Sequence, residues 1–156
     1  MRHYLPRVFR TSLFVFALAG ALLAQNFKPA TSDNAKEFLG KWQASFQGKV
    51  FMTLSLSADA HKLFGTVSSA NIEVNKAGEL TKAEVSDGAD TITSAVVNGN
   101  RLRITTKSED GSEDSMDCEM VLLGPNEAEL HITVPPDVPP EVTRPKPWKL
   151  TRVPQS

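Results

Sequence analysis

From Trp42 onward the chain alternates apolar and polar residues with a period of two, the mark of strands that bury one face. Over 50–57, Val50, Met52, Leu54 and Leu56 share one face, while Phe51, Thr53, Ser55 and Ser57 take the other. The run 63–69 puts Leu63 and Val67 together with Gly65 between them, and a strand glycine signals a bend, a bulge or a close backbone approach. Further strands are predicted over 91–97, 101–105, 115–123, 129–134 and 148–153, with shorter ones at 72–74 and 80–85. Leu102 with Ile104, then Met116, Cys118, Met120 and Leu122, then Leu130, Ile132 and Val134, each line a single face. The connections carry Asp87-Gly88, Asn98-Gly99-Asn100, Asp110-Gly111 and Gly124-Pro125-Asn126, which favour tight turns.

Hairpins with one apolar face must bury that face and protect their edges. The expected fold is therefore all-β, an antiparallel up-and-down barrel of eight or nine strands, with a two-sheet sandwich as the alternative. Residues 33–40 predict a short N-terminal helix, capped by Ser32, Asp33 or Asn34 and ended by Gly40. Six prolines between 135 and 147 exclude that stretch from a sheet interior and predict an extended strap over the surface.

The N-terminus has a different character. Arg2, Arg7 and Arg10 precede an unbroken apolar or glycine run from Leu13 to Ala24. Such a run suits a secretory signal peptide and is too short for a spanning helix, which needs about 20 residues. Small residues at Ala19, Ala21 and Ala24 suit cleavage. The expected organisation is a signal peptide over 1–24, a flexible lead-in over 25–32, one domain over 33–153 that includes the strap, and a tail over 154–156. The protein is expected to be exported, periplasmic or extracellular, with no membrane span after cleavage.

Charge and cysteine narrow the functions. Loss of 1–24 leaves 14 basic against 18 acidic residues, a net charge of −4 without a basic cluster. That argues against nucleic acid as a partner. The single cysteine, Cys118, excludes an internal disulfide and any Cys-based metal cluster.

Gly40-Lys41-Trp42 opens the first long strand after the expected helix, and Arg152 lies in the last one. This arrangement resembles lipocalins and the wider calycin group. The resemblance implies that the tryptophan starts the first barrel strand and that the late arginine packs over it to close the base, making Gly40, Trp42 and Arg152 structural. The segments FLGKW, TLSLS, LFGTVS, VVNGNRLRI and KLTRV are similar to small exported bacterial lipocalin-like, calycin-type β-barrel proteins of unassigned function. The likeness spans most of 40–153 and implies a fold rather than an activity.

Sequence motifs for catalysis are missing. His61 falls in a turn and His131 on a polar strand face, and neither is placed beside a nucleophile by any motif. Cys118, flanked by Asp117 and Glu119 and in line with Met116 and Met120, reads as a buried apolar thiol. Asp110, Ser112 and Asp114 alternate as in a calcium loop, but Ser115 replaces the required glycine and Val121 the terminal glutamate. A solvated hairpin tip is expected there. Arg101 and Arg103 share an outward face opposite Leu102 and Ile104. No enzyme activity, metal or cofactor is expected.

Two functions follow. One is a barrel that binds a small apolar or amphipathic ligand, lined by Met52, Leu54, Leu102, Ile104, Met116 and Met120. The other is a structural or protein-interaction module with a filled core, using outward aromatics such as Phe51 and Phe64 to contact an exported protein partner. A cavity of several hundred cubic ångströms separates the two.

Overall fold

The alternating runs form nine strands: β1 (Lys28–Pro29), β2 (Gly40–Phe46), β3 (Lys49–Ala58), β4 (Leu63–Val74), β5 (Leu80–Asn98), β6 (Arg101–Ser108), β7 (Ser115–Gly124), β8 (Glu127–Thr133) and β9 (Trp148–Arg152). They come from a computed structural model that describes residues 26–109, 115–134, 139 and 141–154. The expected signal peptide, the tip 110–114 and part of the proline-rich strap lie outside these residues.

All pairings are antiparallel, in the order β1-β5-β4-β3-β2-β9-β8-β7-β6, and β5 also pairs with β6. That last pairing closes β2–β9 into an eight-stranded barrel, with β1 as an extra strand on β5. Closure removes the unpaired edges that a sandwich would leave, so the barrel, not the sandwich, is the fold. Leu54, Leu102, Ile104, Met120, Leu130 and Leu150 are all buried and pack into one core with Trp42.

Four local expectations change. First, the N-terminal helix is reduced to a single 3₁₀ turn, Lys36–Phe38. The side chain of Asn34, expected as a cap, instead accepts from the Thr31 amide at 2.8 Å and donates to the Pro29 carbonyl at 2.9 Å. Ala35 and Phe38 are buried, so packing rather than capping fixes this turn. Second, the lead-in contains β1, which pairs Lys28 with Val97 and Pro29 with Val96, and the next residue, Ala30, is buried.

Third, Asp87-Gly88 is not a hairpin turn. The predicted strands at 80–85 and 91–97 are one continuous β5, and 63–69 and 72–74 are likewise one β4. Ser68 pairs with Ala89 and Ala70 with Val85, so Ser86-Asp87-Gly88 forms a bulge opposite Ser69, with Gly88 at φ +98°. Fourth, β3 carries an extra residue opposite β2. Ala44 pairs with Met52 but Ser45 with Val50, which turns Phe51 inward and leaves Val50 40% exposed. Phe51 is therefore a core residue and is removed from any outward contact surface, whereas Phe64 is 42% exposed.

Gly65 marks a close approach. A Cβ there would lie 1.9 Å from the Ser55 carbonyl oxygen, so only glycine fits at this point of the β3–β4 ladder, opposite Leu56.

Candidate functional site

The two ends of the barrel differ. At one end Trp42 is wholly buried and donates its indole N–H to the Phe38 carbonyl at 2.8 Å. Trp42 pairs across the ladder with Arg152, whose guanidinium lies 4.2 Å over the indole ring. The same guanidinium donates to the carbonyls of Pro125, at 2.8 Å, and of Leu39 and Glu37. Burial moves the Arg152 pKa below its ordinary value without changing its charge at neutral pH. One cation thus collects three backbone carbonyls and one aromatic face. A hollow of about 440 Å³ at this end is lined by Arg152 and Glu37 with Leu122, Leu123 and Pro125.

At the opposite end a cleft of about 250 Å³ reaches into the barrel interior. Met52 of β3, Val67, Ala70 and Ile72 of β4, Met116 of β7, Ile132 of β8 and Trp148 of β9 form its apolar walls, and Pro145 contributes from the strap. Ser68, Ser69 and Asp90 supply the polar lining. Asp90 sits where β5 passes from one neighbour to the other, pairing with Val67 of β4 and Ser108 of β6. Its carboxylate is 3.5 Å from the Thr106 hydroxyl, a long contact, and Thr106 is fully buried. Trp148 stacks edge-to-face on the inverted Phe51, with centroids 5.5 Å apart. Its indole N–H is buried without a hydrogen-bond partner among the described residues. An unpaired buried donor is uncommon and costs about 1–3 kcal/mol.

The tip between β4 and β5 meets the strap beside this end. The Lys146 amide donates to the Gly78 carbonyl at 2.8 Å, and its ammonium lies 2.8 Å from Glu79. Hydrogen bonds from Lys146 and then Asn75 hold the Glu79 carboxyl below its ordinary range.

The six residues expected to line the barrel separate by depth. Met52 and Met116 border the cleft, while Leu54, Leu102, Ile104 and Met120 are in the solid core below it. Sequence reading missed Asp90 because it placed a turn at 87–88, and it missed Trp148 because one tryptophan at a strand start carries no positional signal. Of the other candidates, Cys118 is buried, and burial with the adjacent Asp117 pushes its thiol up to about 12. His61 is exposed in its turn, and His131 lies 3.3 Å from Glu129 on the outer wall. Arg101 and Arg103 both engage Glu119, at 2.6 and 2.9 Å, and Arg103 also lies 4.0 Å over Phe27. The described residues hold no cluster of three or more His, Cys, Asp or Glu fit for a metal ion. The calcium-like stretch at 110–114 lies outside them. Comparison with family models, with curated proteins and with solved structures gave no match.

Proposed function

We propose that this is an exported lipocalin-like barrel that binds a small apolar or amphipathic ligand at the open end, without catalysing a reaction on it. The observation that carries this reading is the cleft of about 250 Å³ framed by Met52, Val67, Ile72, Met116, Ile132 and Trp148. Apolar walls with a few polar groups are the usual make-up of a small-molecule site, and the volume falls just below the common range of about 300–1,000 Å³. The ligand is correspondingly small. Methionines on two facing walls adapt to its shape.

The filled core below the cleft favours a second reading, an interaction module whose contacts with an exported protein use Phe64 and the exposed Val85. Native mass spectrometry of protein purified gently from an exporting host separates the two. A small-molecule adduct that is lost on unfolding and abolished by Ala70→Trp, which fills the cleft, supports the carrier. A bare monomer mass that persists when small apolar probes are added supports the module. The same spectrum tests export, since a chain beginning at Gln25 or Leu22 indicates signal cleavage.

A further inference from the structure

The cleft has a charge sign. Among the described residues that line it, Asp90 is the one charged side chain, with neither lysine nor arginine beside it. Asp90 is half-buried at the edge of the apolar chamber, and the Thr106 hydroxyl 3.5 Å away leaves its carboxylate room for a further partner. The indole of Trp148, which is 9% exposed, lines the cleft from β9, across the barrel from Asp90 on β5. A carboxylate on one wall, faced by an indole and two thioethers on the others, suits a cation attached to an apolar body. From this complementarity we infer that the ligand is a small cationic amphiphile: a protonated amine held at Asp90, with a short apolar portion against Met52, Met116 and Ile132. An anionic amphiphile such as a fatty acid would bring a second negative charge to Asp90 and is disfavoured by that repulsion. The unpaired Trp148 N–H adds a donor that an acceptor on the ligand can satisfy when binding repacks that wall.

This inference rests on the reading of the cleft as the binding site, and one experiment tests the two apart. The chain has two tryptophans, so ¹⁵N-labelled protein gives two indole N–H signals. That of Trp42, bonded to Phe38, serves as the internal reference. Hexylamine, hexanol and hexanoate are titrated separately at neutral pH. The Trp148 signal is expected to move while that of Trp42 stays. Hexylamine should bind about tenfold more tightly than hexanol, as a charge-assisted contact warrants, and hexanoate most weakly. Asp90→Asn should bring the amine to the level of the alcohol and leave alcohol binding unchanged, which also shows that the variant is folded. The preference in the unaltered protein decides the question by itself if that variant fails to fold. Equal or tighter binding of hexanol or hexanoate overturns the cationic ligand while leaving the site. A Trp148 signal unmoved by all three probes overturns both.

Discussion

Trp42 combines three roles in one side chain: it fills the barrel base, satisfies the Phe38 carbonyl and offers its face to Arg152. Trp42→Ala is therefore expected to cost about 3–5 kcal/mol, as for other buried aromatics. Urea denaturation measures it, and a loss below about 1 kcal/mol would contradict the sealed base. The pairing of these two residues was legible because a motif near the start and an arginine near the end fit one known architecture. Asp90 was not legible. Its neighbours Asp87 and Gly88 have the composition of a turn, and only the bulge against Ser69 keeps the strand running, so that Asp90 meets the interior. Phe51 was misplaced for a related reason. Alternation assigns faces correctly until one residue is inserted, and nothing in Val50-Phe51-Met52 marks which residue is the extra one.

Close backbone approaches within the ladder and outer-wall contacts decide stability at the level of elements. Gly65→Ala would drive a methyl group into the Ser55 carbonyl, so the β3–β4 ladder must part locally. The expected cost is about 2 kcal/mol or more, given that overpacking alone costs about 1–3. Gly124→Ala, where a Cβ meets nothing within 4 Å and the backbone is not left-handed, is the control in the same denaturation series. Equal losses at the two positions would contradict the close approach. On the outer wall, β6 and β7 are joined by Arg101, Arg103 and Glu119. Burial opposes ionisation of Glu119, but the hydrogen bonds and charges of Arg103 and Arg101 outweigh it and hold the carboxyl below its ordinary range. A carboxyl lowered by folding stabilises the native state above its unfolded pKa, and the effect is lost as pH falls through the folded value. The stability gap between the wild-type protein and Glu119→Gln should therefore be full at neutral pH, begin to narrow below about pH 4.5 and close in stronger acid. A gap that is constant across that range would show that the triad does not couple folding to pH.

The whole molecule is a closed barrel with a buried core and an apolar cleft at the end away from Trp42 and Arg152. The period-two pattern predicted closure, since eight one-sided strands bury their apolar faces most completely by curling on themselves. It did not predict the depth to which the interior is filled, because Met52, Met116 and Met120 look alike in sequence and differ only in their height along the barrel. That difference provides a direct test of ligand binding at the mouth of the barrel. In protein labelled at the methionine methyls, Met52 and Met116 report on the cleft and Met120 on the solid core. Titration with a small cationic amphiphile such as hexylamine should shift the signals of Met52 and Met116 together, saturably, and leave Met120 in place. Unmoved signals from Met52 and Met116 would contradict binding at the mouth of the barrel.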